Sequence, residues 1–244
     1  MDLVRQTVLL FLLTLPSFYC KTNCRRSEPQ FNNCVENQMN SMKSKSFVKK
    51  GLPSLKIGPL DPLFVPKIRL RQGSGPVSLD LTSTDQIFKG IVNYRITSAK
   101  IDLKNYKMEF TVTLPWLYVG GKTKMEGRIL AFPINGYGDS WSNYTMVSGK
   151  AILKGHPVEM EGKQFFRLDT VKFDMAVKQA TVQMSGLFDG NEELATAMNN
   201  LMSNNWEIIF QELKPVIDQT VEELIKDTAV KLFNYYSLDE LFPK

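Results

Sequence analysis

The sequence is poor in the residues that catalysis and metal binding use most often. Its 244 residues include one histidine, His156, and three cysteines. They contain no G-x-S-x-G, Walker or H-E-x-x-H motif. His156 precedes Pro157 in a segment typical of an exposed hairpin tip. The scarcity of these groups argues against an enzyme, a metal site or a bound cofactor.

Long apolar runs are also scarce. The run VLLFLLTL spans Val8–Leu15 after Arg5, and it is shorter than the roughly 18 residues that a membrane-spanning helix needs. It indicates a cleaved secretory signal peptide over residues 1–20, with cleavage between about residues 17 and 23. We therefore expect one mature domain, residues 23–244, that is secreted into an extracellular fluid, spans no membrane and is a monomer.

The cysteine pattern fits a secreted protein. Cys20 leaves with the signal peptide, so Cys24 and Cys34 remain as an even pair in an oxidising compartment. We expect a disulfide between them, which would contribute roughly 2–3 kcal/mol by the chain-entropy model. A metal site would need further ligands, and His156 is the only histidine available.

The net charge of +5 and the pI near 9.0 raise the question of an acidic partner. The basic residues are scattered, however. One group lies on a predicted helix near Lys49, and a second, Lys67 to Arg71, alternates with apolar residues. Both patterns are typical of solvated faces, and a secreted protein rarely meets nucleic acid, so we do not expect a nucleic-acid partner.

Apolar residues between Ile68 and Met184 recur with the period of two that is typical of half-buried antiparallel strands. The clearest runs are residues 77–82, 108–116 and 171–177. Turn signals occur at Lys104-Asn105, Gly120-Gly121, Asn135-Gly136 and Glu161-Gly162. Together these features predict roughly seven to nine sequential strands.

One long helix is predicted over Leu194–Tyr235, where about 42 residues would extend roughly 63 Å at 1.5 Å per residue. Asn191 is suited to cap its start. At roughly 100° per residue, the apolar side chains cover about 200° of the helix, which is wider than one packed face requires. Pro215 predicts a kink, and the alternative is a two-helix hairpin broken at Pro215.

A meander with one apolar face, followed by a helix with so broad an apolar arc, favours a sheet that curls around the helix. We therefore predict an α+β fold with a long, strongly curved antiparallel sheet wrapped around the C-terminal helix. The one N-glycosylation sequon, Asn143-Tyr144-Thr145, follows a turn-rich segment and predicts a glycan on Asn143.

Several short segments, taken in order, resemble the takeout and haemolymph juvenile-hormone-binding protein family of insects. The early segments are the pair Cys24 and Cys34, GLPSL at residues 51–55, LDPL at residues 60–63, and GRIL with PING over residues 127–136. The later ones are LFDG at residues 187–190, then Leu194, Met198-Asn199, NNW at residues 204–206, LKP at residues 213–215 and LFP at residues 241–243. The resemblance covers essentially the whole mature chain.

The resemblance implies a tubular lipid-binding fold with an apolar tunnel between the curved sheet and the long helix. Juvenile-hormone carriers have a second disulfide, whereas this sequence has no further cysteine pair, so it looks like the takeout branch. A hormone-specific site is therefore not carried over to this chain.

The apolar strand face and the helix arc predict the lining of such a tunnel. We expect it to include Phe110, Val112, Leu114, Trp116, Phe173, Met175, Val177, Met202, Trp206, Ile209, Leu213 and Ile217, with Met39 and Met42 near a mouth. Tyr94 or Tyr118 could orient a polar group of the ligand. The function these residues predict is a carrier for a juvenile-hormone-like terpenoid, a fatty acyl chain or another lipid. The alternative is an extracellular signalling protein whose surface engages a receptor.

Overall fold

The computed structural model describes residues 23–42 and 46–244. The predicted signal peptide, over residues 1–20, lies outside the described residues. Within the described part of the chain, the long helices follow the strands, and two short helices precede them.

The strands form one antiparallel sheet with seven members in the described residues. They are β1 (Leu63–Gln72), β2 (Val77–Lys89), β3 (Arg95–Asp102), β4 (Lys107–Ile129), β5 (Phe132–Met160), β6 (Lys163–Ala176) and β7 (Gln179–Met184). The three period-two runs of the sequence lie in β2, β4 and β6, and the strand number is within the predicted range.

The long hairpin of β4 and β5 is the centre of the sheet. β3 and β2 pair with successive parts of β4, while β6 and β7 pair with successive parts of β5. β1 extends the sheet beyond β2. Because 22 register pairs join β4 to β5 without a shift, this hairpin runs the length of the fold.

The helices are α1 (Phe31–Met42), α2 (Ser46–Lys50), α3 (Glu192–Asn204), α4 (Trp206–Tyr235) and α5 (Leu238–Leu241). Helix α4 packs against β6 and β7 and also contacts β1 and β2, from the other side of the strand order. A flat sheet could not bring β1 and β6 to one helix. The predicted α+β fold, a curved sheet wrapped around a long C-terminal helix, is therefore confirmed.

The single helix predicted over Leu194–Tyr235 is interrupted at Asn205, which has φ −116° and ψ 24°. Helix α4 then continues through Pro215, so the alternative of a hairpin broken at Pro215 is wrong, while the kink expected there stays a prediction. The Asn205 side chain donates a hydrogen bond to the carbonyl of Leu201 at 2.8 Å, which competes with regular helix continuation. Pro215 is exposed, so water can satisfy the carbonyl that loses its partner. Asn191 caps α3 as predicted, accepting from the Leu194 amide at 3.1 Å.

Two of the four turn signals lie inside strands. Gly120-Gly121 is part of β4, and Asn135-Gly136 is part of β5, whereas the turn between these strands is at Leu130 and Ala131. A Cβ at Gly121 would lie 2.7 Å from the backbone carbonyl oxygen of Thr84, and one at Gly136 would lie 2.7 Å from that of Gly186. These glycines therefore allow close approach of neighbouring backbone rather than a change of direction. The other two signals are at turns between strands.

The alternation of side chains reverses in the middle of the central hairpin. Leu114 and Leu117, three residues apart, both face the same interior cluster, and so do Tyr144 and Val147 on β5. The reversal lies at Pro115 and Met146, which are skipped in the register between the pairs Leu114–Val147 and Trp116–Thr145. Met146 has a φ of +50°. On both strands, the positions that face the interior before this point therefore face outward beyond it, and the positions that faced outward face the interior.

Side chains from the helices occupy free strand edges. Asn40 on α1 accepts from the Ile96 amide and donates to the Ile96 carbonyl, both at 2.8 Å. Asn199 on α3 makes the same pair of bonds with Met184 on β7, both at 2.9 Å. Glu222 and Asp218 on α4 accept from the amides of Phe173 and Met175 on β6, at 3.0 and 3.1 Å. These contacts satisfy backbone groups that the sheet leaves unpaired.

Candidate apolar binding site

One end of the molecule, which we call the cystine end, is closed by tight packing. Cys24 and Cys34 form the predicted disulfide there, with a Cα–Cα distance of 5.6 Å. Phe166 is 1% exposed and its ring lies edge-on to that of Phe233, with centroids 4.8 Å apart. The chain ends reinforce this packing, because Phe242 meets Phe31 edge-on at 5.6 Å. Most of the apolar side chains that meet at the cystine end are therefore buried.

The opposite end, which we call the hairpin end, is packed around the β4–β5 turn. Ile129 and Ile134 flank the turn and are almost fully buried. They join Val77 and Leu79 from β2, Met184 and Leu187 from the end of the sheet, and Met198 and Met202 from α3. This cluster closes the second end.

Between these ends lies a smaller group of apolar residues, which we call the middle cluster. Its buried members are Val147, Met175 and Phe210, so it joins β5, β6 and α4. Other members of the cluster pack against them but remain partly accessible: Leu114, Leu117, Tyr144, Phe173, Val177, Trp206 and Ile217. Partly accessible members therefore outnumber buried ones here, seven to three, whereas buried members are the majority in the other two clusters. The middle is thus the least completely buried part of the interior.

The structure brings together most of the residues predicted to line a tunnel. Leu114, Phe173, Met175, Val177, Trp206 and Ile217 belong to the middle cluster. Phe110, Val112 and Met39 pack against the cystine end, while Met202, Ile209 and Leu213 belong to the hairpin end. The predicted residues therefore extend from one end of the interior, through the middle, to the other.

Trp116 does not group with the others. It is 43% exposed, and a Cβ at Gly90 would meet its ring at 2.6 Å, so its ring packs on Gly90. The reversal of alternation at Pro115 explains this, because Trp116 then points away from the face that Leu114 occupies. Met42 is partly exposed and belongs to none of the three clusters.

Sequence reasoning missed several members of the middle cluster, and Tyr144 is the most informative of them. Its position within the sequon suggested a surface segment, whereas it lies in the cluster with Leu117. Desolvation by burial raises the pKa of the Tyr144 phenol, although a hydrogen bond with the Ser142 side chain acts in the opposite direction. Tyr144 thus brings a phenol hydroxyl into the middle cluster.

The two tyrosines suggested from the sequence have other surroundings. The Tyr94 hydroxyl donates to the carbonyl of Met39 at 2.5 Å, and burial raises the pKa of its phenol. Tyr118 lies on the opposite face of the sheet from Leu117. Its register partners there are Asn143 on β5 and Lys89 on β2. Neither hydroxyl is placed in the middle cluster.

Charged groups fasten the helix beside the middle cluster. Lys214 lies 2.5 Å from both Asp174 and Asp218. Desolvation lowers the pKa of Lys214, but these two carboxylates raise it more, so its pKa is above the usual value. The ammonium therefore stays charged and ties α4 to β6.

A separate open recess of about 660 Å³ lies at the hairpin end between β7 and α3. Its walls include Asp139, Glu192, Thr196 and Asn199, and it contains none of the predicted lining residues. Because polar groups form about half of its walls and it opens widely to solvent, it is a poor match for an apolar ligand.

Other kinds of site find no support in the described residues. Across residues 23–42 and 46–244, no three His, Cys, Asp or Glu side chains are grouped so that they could hold a metal ion. No helix in this described part is both long and apolar enough to cross a membrane. His156 is exposed, and its Nδ1 lies 2.9 Å from an Asp169 carboxylate oxygen.

Similar proteins agree with this architecture. The crystal structure of Takeout 1 from Epiphyas postvittana superimposes with a TM-score of 0.77 at 22% identity, covering 92% of this chain and all of that one. The circadian clock-controlled protein daywake of Drosophila yakuba is 23% identical over 80% of this chain and 78% of its own length. A putative beta-carotene-binding protein of Schistocerca gregaria is 24% identical over 79% of this chain and 77% of its own.

The match to a family extends over nearly the whole sequence. Residues 5–243 match the haemolymph juvenile hormone binding protein family. That family is one of binding proteins rather than enzymes, and the resemblance inferred from the short segments is confirmed. The chain belongs to the haemolymph juvenile hormone binding protein family.

Proposed function

We propose that the protein is a secreted carrier that holds a small hydrophobic molecule between the curved sheet and helix α4. The observation that supports this most is a contrast in burial: buried apolar side chains outnumber partly accessible ones in both end clusters, whereas partly accessible ones outnumber buried ones in the middle cluster. Contact between water and these apolar side chains is unfavourable, so an apolar ligand that displaces the water is stabilised. The family match and the name of the Schistocerca relative support the same ligand class.

The extent of the proposed lining favours a long ligand. The proposed lining continues from Phe110 near the cystine end to Leu213 near the hairpin end, in line with the axis of α4. We propose a terpenoid or an acyl chain. Burying roughly 15 methylene equivalents would contribute about 12 kcal/mol before the costs of association. After those costs, dissociation constants in the micromolar to nanomolar range are expected.

A blocking substitution tests the location of the ligand. Leu114→Trp and Ile209→Trp each place a larger side chain in the proposed lining, and both should abolish or strongly reduce uptake of a fluorescent acyl or terpenoid probe. Overpacking would cost about 1–3 kcal/mol of stability, so a native-like circular dichroism spectrum is part of the measurement.

Ile208→Trp is the matched control for Ile209→Trp. It makes the same change one residue earlier on α4, but Ile208 is 47% exposed. Probe uptake should therefore match that of the unmodified protein. Undiminished uptake by both lining variants would contradict this lining, and failure of the unmodified protein to take up any apolar probe would favour a surface-acting signalling role.

Tyr144 is proposed to orient the polar end of the ligand. Its hydroxyl is a polar group within the middle cluster, and a buried hydroxyl contributes most where it meets a ligand carbonyl or carboxyl. Tyr144→Phe should weaken binding of a probe with a polar head by roughly threefold to tenfold. It should leave a purely hydrocarbon probe unaffected, and equal effects on both probes would contradict the assignment.

Secretion and modification are part of the same proposal. Intact-mass measurement of protein secreted from insect cells should show a chain that begins at about residues 17–23 and carries N-linked glycan on Asn143. Asn143 is exposed on the outer face of β5, where modification leaves the interior untouched.

A further inference from the structure

Asn143 lies beside two aromatic side chains on the outer face of the sheet. Trp141 precedes it by two residues on the same strand and is 38% exposed. Tyr118 is its register partner on β4. Thr145, the hydroxyl residue of the sequon, is exposed on the same face. The acceptor asparagine is therefore flanked along its strand and across it by aromatic residues.

The Tyr118 ring lies flat along the sheet rather than pointing outward. A Cβ at Gly120 would lie 2.5 Å from the Tyr118 hydroxyl and 2.8 Å from the adjacent ring carbon, so the ring covers Gly120. Gly120 is the register partner of Trp141. The ammonium of Lys89, on the neighbouring strand, lies 5.6 Å from the centre of the Tyr118 ring. Glycine at position 120 thus creates the space in which the ring lies.

The distances suit a group attached to Asn143. Directly opposed residues in an antiparallel pair have Cβ atoms about 4.5–5.5 Å apart, and alternate residues of one strand are about 7 Å apart. Both aromatic side chains are therefore within reach of the first sugar of a glycan on Asn143. The apolar surface continues across the sheet to Ile87, 38% exposed, and its register partner Phe64, 55% exposed.

We propose that the N-glycan of Asn143 folds back onto Tyr118 and Trp141, with the apolar C–H face of its first N-acetylglucosamine against their rings. The attachment joins the Asn143 side-chain nitrogen to C1 of the sugar of a lipid-linked diphospho-oligosaccharide. The bond from C1 to the diphosphate breaks, the lipid diphosphate leaves and the amide loses one proton. This inference rests on the secretion and modification proposed above and is independent of ligand uptake.

The covalent attachment of the glycan to Asn143 favours its contact with the rings of Tyr118 and Trp141. A contact between one sugar and an aromatic ring is weak, but attachment two residues away gives the sugar a high effective concentration at the rings. The glycan would also cover aromatic surface that otherwise contacts water on a secreted protein.

A thermodynamic cycle tests the contact. The unmodified protein and a Tyr118→Thr/Trp141→Thr variant are each secreted with the sequon intact and with Thr145→Ala, which prevents glycosylation. Because Thr145→Ala is common to both backgrounds, its own effect on stability cancels in the comparison. We expect the glycan to raise the Tm of the otherwise unmodified protein by about 2–4 °C, and that of the double variant by less than about 1 °C.

Phe64→Thr is the matched control, since it removes an exposed aromatic side chain from the same face at a distance from Asn143. The glycan should raise its Tm as much as that of the unmodified protein. If the double variant fails to fold, Tyr118→Thr and Trp141→Thr are measured singly, and each should lose part of the rise.

The proposal would be overturned by a secreted protein whose mass shows no glycan, by an unmodified protein whose Tm the glycan does not raise, or by an equal rise in all backgrounds. Uptake of an acyl probe is measured on the same samples. Its failure would contradict the carrier function and would leave the Tm comparison interpretable.

Discussion

The cystine end and the middle of the molecule share strands and share helix α4, yet their interiors differ. Phe166 and Phe173 make the contrast plain, because both lie on β6 and both face apolar clusters. Phe166 is 1% exposed, whereas Phe173 remains partly accessible. The same strand therefore carries a fully buried phenylalanine in one cluster and a partly accessible one in the next.

The difference follows from the additional segments that each region receives. At the cystine end, α1, α5 and the last residues of the chain add side chains such as Phe31, Leu238 and Phe242 to those of the sheet and α4. The hydrophobic members of the middle cluster come from the sheet, from Val177 in the turn after β6, and from α4. Where further segments pack against the curved sheet and its helix, the apolar side chains between them become buried. Where no further segment packs, part of the apolar surface stays accessible.

Truncating the two phenylalanines should give the largest difference between these regions. Phe166→Ala removes a fully packed ring and should cost about 3–5 kcal/mol of unfolding free energy. Phe173→Ala should cost less than about 2 kcal/mol, since part of its ring is already accessible. Chemical denaturation of both variants measures the difference.

The same two variants should separate stability from binding. Phe173→Ala is expected to weaken uptake of an acyl probe, while Phe166→Ala should leave it nearly unchanged in the folded protein. Equal losses of stability at both positions would mean that the middle is as completely filled as the cystine end.

Removing the disulfide should have the next largest effect and should act on the cystine end. The Cys24→Ser/Cys34→Ser variant should lose roughly 2–3 kcal/mol, because the cross-link no longer restricts the unfolded chain. Thermal unfolding with and without reductant gives an independent measurement on the unmodified protein. Probe affinity in the folded variant should stay the same, and a large loss of affinity would show that the two regions are coupled.

The boundary between the regions can be tested at Glu222. This side chain accepts from the Phe173 amide at 3.0 Å, so Glu222→Ala leaves an edge amide without its partner and should cost about 1–2 kcal/mol. Glu223→Ala is the matched control, because Glu223 is exposed, and its effect should be within about 0.5 kcal/mol. Equal effects from denaturation curves would argue that carboxylates of α4 do not hold β6.

Much of the fold was predictable because its signals are local. The alternation in residues 77–82 and 171–177 arises whenever one face of a strand is exposed to water and the other is buried. The cap at Asn191 depends on one side chain and a nearby amide. The tubular arrangement was favoured by the breadth of the helix arc and by the resemblance to a family, since strand periodicity alone does not define how far a sheet curls.

The features that escaped prediction depend on neighbours that the sequence does not reveal. Residues 108–116 have an unbroken alternating pattern, yet the face reverses at Pro115 because the register with β5 skips Met146. This change removes Trp116 from the interior and places Tyr144 inside it. Likewise, Gly120 is a site where a neighbouring ring lies, which is a tertiary contact that resembles a turn signal in the sequence.

Native mass spectrometry tests the central claim most directly. Protein secreted from insect cells, incubated with an acyl or terpenoid probe and cleared of excess, should carry one probe per chain. The Leu114→Trp variant should remain bare under the same conditions, and Ile208→Trp should carry one probe. A bare unmodified protein with every apolar probe tried, or equal loading of Leu114→Trp, would contradict a ligand site between the curved sheet and helix α4.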